Sequence, residues 1–507
     1  MKSRGQKALL DTVILSIDQL TRFVCGLILP RLFLKHFGSE YAGITSSIVQ
    51  FLSYITILRV GVTGASRLAL YKVLAQNDHR RISGIINATQ KYINKIAMVL
   101  LAYIVVLSVV YPYITNTTIP ASEVSLLVLI VGGSYFAQFF FGLTHMVLLS
   151  ADQRIYIYTA ISTVVTILNT VLTAILIKMG CNILMVKLGS AVVFTLNPLV
   201  LSAYVRRNYK LDKSIPSEKG FLQNQWDIMW HSIADIVHNS TDLTVLTILT
   251  NIKYVSVYTV HYLVVNGLHQ ILQVFTRSLE AVFGNMFAKG EYDTARRNLE
   301  LYEFFVACFV SAAFSCALVL IVPFVQQYTA GATDINYTMP AFATVALIAQ
   351  MVMCIRQPYL TVVCAAGHYK QTRNDALVEA GINIVTSVVL TYIFGIIGVA
   401  IGTLIANVFR TLRLAIYMQG NILNRPFRKL LMTMLWVASN VTIVCVISQF
   451  ICRVIAINSW LTWGMAGVAC GGTALIVTLV SAWIFYREQL QEMVVIAKRL
   501  LIKVKKR

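Results

Sequence analysis

The chain has 507 residues, of which 57% are hydrophobic and 12% charged, whereas soluble domains carry about 25% charged residues. That excludes a soluble globular protein, and the longest polar stretch, Arg206 to Gln225, is too short to form a soluble domain. The formal charge of +21 implies no nucleic-acid partner, because the Lys and Arg residues collect in alternate loops between apolar runs.

Those runs are each long enough to cross about 30 Å of hydrocarbon. They predict an all-α polytopic membrane protein of about fourteen transmembrane helices, at about 11–34, 42–71, 92–113, 123–149, 155–178, 182–205, 226–250, 254–287, 300–328, 339–366, 376–394, 398–418, 431–455 and 462–485. The basic residues fall in the N-terminus (Lys2, Arg4, Lys7), in the even loops (among them Arg80, Arg81, Arg206, Arg207, Arg296, Arg297 and Arg428) and in the tail. The odd loops Asn116–Ser122 and Thr329–Thr338 hold no Lys or Arg. The positive-inside rule then puts both termini in the cytoplasm.

A charged side chain at mid-bilayer costs about 2.5–3.5 kcal/mol even on a lenient scale, so such residues face a wet cavity or a partner. Nine arginines lie within the predicted spans, among them Arg22, Arg59, Arg67, Arg277, Arg356, Arg410 and Arg413. In the first span, Asp11, Asp18 and Arg22 interrupt the apolar run, which excludes a cleaved signal peptide. Asp18 and Arg22 are four apart and can pair, leaving Arg22 either neutralised or substrate-facing. In the second span Thr45, Thr56, Arg59, Thr63, Ser66 and Arg67 share about 100° of arc, which suits a cavity wall. Arg67 can snorkel from the span's end; Arg59 cannot reach water so readily.

The seventh span is the strongest local signal. Asp227, His231, Asp235, His238 and Asp242 fall within about 80° of arc, and carboxylate–imidazole stripes at such depth mark proton or cation pathways. The alternative is a tilted helix start, with Asp227 and His231 in headgroup water. In the eighth span Arg277 can pair with Glu280. In the tenth, Arg356 lies beside Pro358 with no acidic neighbour in sequence. The eleventh continues from Asp375 through Glu379 to Asn383 at helical spacing. Asp375 suits a helix N-terminus, and Glu379 is a second candidate coupling carboxylate. Arg410 and Arg413 read as cytoplasmic-end anchors. The nine cysteines are scattered without a CxxC pair, so they read as small apolar residues rather than a metal or disulfide framework.

Tyr41 to Arg81 and Tyr254 to Arg297 follow one plan: a polar-flecked span, a short acidic–basic loop, an apolar span. This repeat divides the chain into an N-lobe of six spans (residues 1–205), a cytoplasmic linker (206–225), a C-lobe of six spans (226–418), an added helix pair (431–485) and a basic cytoplasmic tail (486–507). Repeats with sites at their interface are a transporter hallmark.

Three stretches carry a resemblance: Phe37-Gly38-Ser39-Glu40-Tyr41-Ala42-Gly43, then Gly61–Arg67, then Gly367-His368-Tyr369-Lys370 with Asn383 and the run Gly395–Thr403. Together they resemble bacterial polysaccharide flippases, the O-antigen or capsule repeat-unit translocases of the multidrug/oligosaccharidyl-lipid/polysaccharide exporter superfamily. The resemblance implies two six-helix lobes around a central cavity. It implies as substrate an undecaprenyl-diphosphate-linked oligosaccharide, flipped across the bacterial cytoplasmic (inner) membrane. The related murein-precursor flippases use cavity arginines on spans 1, 2 and 8, where this chain has Arg22, Arg59 and Arg277, and can hold a cation between spans 7 and 11, where it has Asp235, Asp242 and Glu379; the resemblance implies the same roles here.

No Walker A, HExxH or G-x-S-x-G motif is present, so no enzyme, no ATP hydrolysis and no resident cofactor are expected. Any transport draws on a gradient of H⁺ or Na⁺. Arg22, Arg59, Arg277 and Arg356 are the expected grips on a diphosphate, because guanidinium is a planar, permanently charged fork. His231, Asp235, His238, Asp242 and Glu379 are the expected coupling groups. The bilayer and a polysaccharide polymerase are the expected partners. The rival readings are a cation-coupled multidrug efflux carrier of the same superfamily and a lipid-linked murein precursor flippase.

Overall fold

The computed structural model describes residues 4–76, 78–218, 220, 240–276 and 279–505. Among them there is no β-strand, only one isolated bridge between Asn116 and Asn251. In chain order the helices are α1 (Arg4–Ser53), α2 (Thr56–Ala75), α3 (His79–Ile114), α4 (Ala121–Ala151), α5 (Ile155–Lys178), α6 (Ile183–Asn208), α7 (Ser240–Leu249), α8 (Lys253–Thr276), α9 (Leu279–Ala288), α10 (Tyr292–Tyr328), α11 (Pro340–Ala365), α12 (Tyr369–Phe394), α13 (Ile396–Asn421), α14 (Phe427–Ile455), α15 (Trp460–Phe485) and α16 (Arg487–Lys505). Ten of these, α3 to α6 and α10 to α15, are long and apolar enough to cross a membrane, and the pair α1–α2 qualifies together across a 44° bend. The protein is an all-α, multi-pass membrane protein.

The chain divides into two compact units, Met1–Thr259 with Gly331–Ile335, and Val260–Ala330 with Asn336–Arg507. Hydrogen bonds explain why residues 240–259 belong to the first unit. Ser47 and Thr247 share a hydroxyl contact of 2.7 Å, and Tyr54 Oη lies 2.6 Å from Thr244 Oγ1. Tyr258 donates to Asp242 at 3.0 Å. The unit boundary thus lies inside α8, downstream of the linker read from composition.

In the first unit, α1 contains a break at Gly38, whose φ of 80° and ψ of 177° leave the helical region. Only glycine adopts that geometry without strain. The corner is tied down by Ser39, whose N–H and hydroxyl donate to Asp334 at 2.9 and 2.6 Å. Glu40 accepts the hydroxyls of Thr117 at 2.7 Å and Thr118 at 2.9 Å. The second break, between α1 and α2, has its own cause. Ser53 Oγ donates to the Gln50 carbonyl at 2.6 Å, and Tyr103 Oη donates to the carbonyl of Phe51 at 3.0 Å. Both side chains occupy acceptors that a continuous helix would use.

In the second unit, α12 and α13 form a hairpin of close backbones. A Cβ on Gly402 would stand 2.6 Å from the Ser387 nitrogen, and one on Gly398 would stand 2.1 Å from the Leu390 carbonyl oxygen. The Gly395–Thr403 motif is therefore a packing device of the small-xxx-small kind. The stretch beyond residue 486, read as a basic tail, is the helix α16.

Candidate functional site

The first unit encloses a cavity of about 460 Å³ between α1, α2, α4, α5 and α6. Its wall carries two cations, Arg59 from α2 and Lys187 from α6, and polar groups from Thr45, Thr56, Ser134, Tyr135, Gln138, Tyr158, Ser190 and Asn197. Phe139 and Phe194 supply apolar faces, and among the described residues no Asp or Glu lines the cavity. Arg59 Cζ lies 5.6 Å from the centroid of the Phe139 ring, and Lys187 Nζ lies 4.0 Å from that of Phe33. Such cation–π contacts orient a cation without neutralising it. Among the described residues no carboxylate pairs with either one.

Local backbone irregularities shape this cavity. The α1–α2 bend places Arg59 within one turn of the start of α2. In α4 the residues Gln138–Gly142 form a π-turn, an irregularity often found at functional sites. Gln90 Nε2 donates to the Phe140 carbonyl inside that turn at 3.1 Å. The turn brings Phe139 onto Arg59. At its end Gly142 meets Pro198 of α6, where a Cβ would stand 2.9 Å from the proline Cβ. Two wall atoms, Asn197 Oδ1 and Thr45 Oγ1, are buried with no hydrogen-bond partner among the described residues. A buried acceptor in that state loses about 1–3 kcal/mol unless water or a ligand donor meets it.

The other residues singled out in the sequence go elsewhere. Arg22 is not in this cavity wall: its Nε pairs with Asp18 at 2.7 Å and its Nη2 donates to Ser162 at 2.7 Å. Asp18 in turn accepts from Thr163 at 2.8 Å. This group ties α1 to α5. Arg356 and Glu379, expected to serve substrate and cation respectively, meet each other as a buried ion pair. Arg410, expected as a cytoplasmic-end anchor, is also buried. Its Nε lies 3.6 Å from Glu379, and its Nη1 donates to the Thr372 carbonyl at 3.0 Å. Two guanidinium groups thus share one carboxylate among α11, α12 and α13. Arg413 pairs with Asp375 at 2.9 Å, and Arg67 is exposed. Asp242 is buried and holds the Tyr258 hydroxyl. Asp227, His231, Asp235, His238 and Arg277 lie outside the described residues.

Lys187 is the functional candidate that sequence reading missed. The available signal was a single cation inside an apolar run, five residues from the start of α6, where it reads equally as a snorkelling anchor.

No protein-family model and no curated protein matches this sequence. Solved structures do match. The lipid II flippase MurJ in an inward closed conformation superposes with a TM-score of 0.72 at 15% identity, over 94% of this chain and 100% of that one. A multidrug resistance MATE family transporter of the MOP superfamily, inward-facing, gives 0.62 at 12% identity, over 85% and 98%. The Vibrio cholerae MATE transporter VcmN in its bent form gives 0.54 at 12% identity, over 82% and 97%. The chain thus has the multi-pass helical fold of these solved structures.

Proposed function

We propose that the protein is a flippase for lipid-linked oligosaccharides. It turns undecaprenyl-diphosphate-linked repeat units from the cytoplasmic to the periplasmic leaflet of the bacterial inner membrane, for surface polysaccharide export. The observation that carries this reading is the cavity of the first unit, with Arg59 and Lys187 in its wall and, among the described residues, no acidic residue beside them. A diphosphate offsets the burial of two cations, and a guanidinium grips it through paired hydrogen bonds. The hydroxyl, amide and aromatic groups around them match the donors, acceptors and ring faces of sugars. A cationic drug would meet two like charges there, which disfavours the multidrug reading.

The remaining roles follow as parts of the proposal. Arg277 is a third grip on the diphosphate, and the lipid tail stays in the bilayer. Asp242, with His231, Asp235 and His238 on the same sequence stripe, takes up H⁺ or Na⁺. Its occupancy biases an inward–outward equilibrium through unequal affinity in the two states. Both termini are cytoplasmic, and a polysaccharide polymerase receives the product. A murein precursor flippase would use the same diphosphate chemistry, so the glycan decides between the two.

The test is the leaflet distribution of lipid-linked repeat units in cells carrying Arg59→Ala, Lys187→Ala or Arg59→Lys. The alanine variants are expected to accumulate the repeat unit in the cytoplasmic leaflet, and Arg59→Lys to retain part of the flux. Normal surface glycan in both alanine variants, at normal protein level, would overturn the proposal. Rescue of a murein-precursor flippase deficiency, without effect on surface glycan, would reassign the substrate.

A further inference from the structure

The last helix, α16, starts two residues after α15 ends, at a level marked by Trp483 and Tyr486. Arg487 Cζ lies 5.7 Å from the Trp483 ring centroid. Trp, Tyr and Arg side by side at the end of a membrane span mark the headgroup level. A helix that begins there runs within the interface or away from it.

The pattern of α16 decides between these. Leu490, Met493, Val494 and Ala497 fall within about 100° of arc, and Leu500, Leu501 and Val504 continue the same spacing in the sequence. The opposite face carries Glu488, Gln489, Gln491 and Glu492, followed by Val495 and Ile496, and is turned toward α10. Glu492 pairs with Arg297 of α10 at 2.7 Å, and these six residues line a cleft against Arg297, Glu300 and Leu301. With Glu492 held against the bundle, Val494 on the other side of the helix is 45% exposed. A soluble protein would hide such a stripe against its core; here Leu490 and Met493 are only half-buried and Val494 is exposed. Beyond Glu492 the sequence holds six cations, Lys498, Arg499, Lys503, Lys505, Lys506 and Arg507, and no acidic residue.

We infer that α16 is a membrane-surface helix that docks on anionic phospholipid. Its apolar stripe enters the headgroup–acyl boundary and its terminal cations meet acidic headgroups. An amphipathic helix with a basic polar complement is built for that surface. The attraction is electrostatic and screened by salt. The Glu492–Arg297 pair sets the rotation of the helix, so that the stripe rather than the acidic face meets lipid.

The experiment is hydrogen–deuterium exchange on the full chain in nanodiscs. One set contains phosphatidylglycerol mixed with phosphatidylcholine, and the other phosphatidylcholine alone. Amides of residues 490–505 are expected to exchange at least about tenfold more slowly in the anionic discs, with the difference lost at high salt. Spans α14 and α15 serve as the internal reference. Val494→Asp, and separately Lys498→Gln with Arg499→Gln and Lys503→Gln, are each expected to abolish the difference while the reference stays protected. Equal exchange of wild-type α16 in both lipids would overturn the inference. So would protection that survives Val494→Asp and the charge-neutralised variant, since both cannot be spared if the stripe and the cations make the contact.

Discussion

The triad of Arg356, Glu379 and Arg410 makes an asymmetric prediction about stability. All three side chains are buried, at 7%, 7% and 6% exposure, and they carry two positive charges against one negative. At 3.6 Å, and with an effective dielectric of about 20, a single attraction is on the order of 4–5 kcal/mol before desolvation is subtracted. Glu379→Gln removes the carboxylate that two buried guanidinium groups share, a change of about 3–5 kcal/mol against folding. Arg356→Met leaves one carboxylate facing one guanidinium, and removes a like-charge repulsion together with an attraction. Its loss should stay below about 2 kcal/mol. The assay is thermal unfolding of purified protein in one detergent at one scan rate, with single-domain two-state arithmetic replaced by a ranking of midpoints. The expected order is wild type, then Arg356→Met close below it, then Glu379→Gln far below. If Arg356→Met falls as far as Glu379→Gln, charge balance is not what holds the three helices. If Glu379→Gln leaves the midpoint unchanged, the carboxylate is not the counter-ion of the cluster, and the role read from sequence, a site for a coupling cation, gains ground.

Gly402→Ala should push α12 off α13, because the new Cβ would stand 2.6 Å from backbone at Ser387. A loss of about 1–3 kcal/mol is expected, read as a lower unfolding midpoint, and a midpoint at wild-type level would refute the close approach. Gly38→Ala places a side chain at φ 80°, and a loss of about 1 kcal/mol is expected from backbone strain alone; equal stability would mean the corner relaxes without it. Glu40 sits at the same corner. Burial raises its carboxyl, but the hydrogen bonds from Thr117 and Thr118 and the charge of Lys253 outweigh that and hold it below the ordinary value. Its contribution is therefore present above the unfolded carboxylate value and is lost as pH falls through the lowered folded one. Glu40→Gln should flatten the acid limb of a midpoint-against-pH curve, and an unaltered limb would remove Glu40 from that account.

Span positions were legible in the sequence because hydropathy and length answer to the bilayer alone. Arg59 was legible for a similar reason: mid-span, without an acid one turn away, it had to find a cavity or a distant partner. The pairing of Arg356 with Glu379 and Arg410 was not, because the three sit on different helices and no local spacing joins them. The sequence instead gave Arg356 and Glu379 separate tasks. Asp18–Arg22 was the opposite case, since an i, i+4 pair announces itself, while the closing hydroxyls of Ser162 and Thr163 come from another helix. Lys187 escaped because a cation near the end of a span looks the same whether it reaches for headgroups or turns inward. The glycines of Gly395–Thr403 read first as a family mark, and their physical content, backbones too close for a methyl group, needed coordinates.

The π-turn at Gln138–Gly142 has a consequence for how this protein tolerates change. One surplus residue is stored there within an otherwise regular helix. Excising a single residue inside the turn would let the hydrogen bonds close up in the ordinary pattern and leave the downstream half near its present rotation. The same one-codon deletion in the regular stretch of α4 upstream would turn everything beyond it by about 100°. Leu143 and Met146 would then swing out of the cavity wall, although no side chain in that wall had been altered.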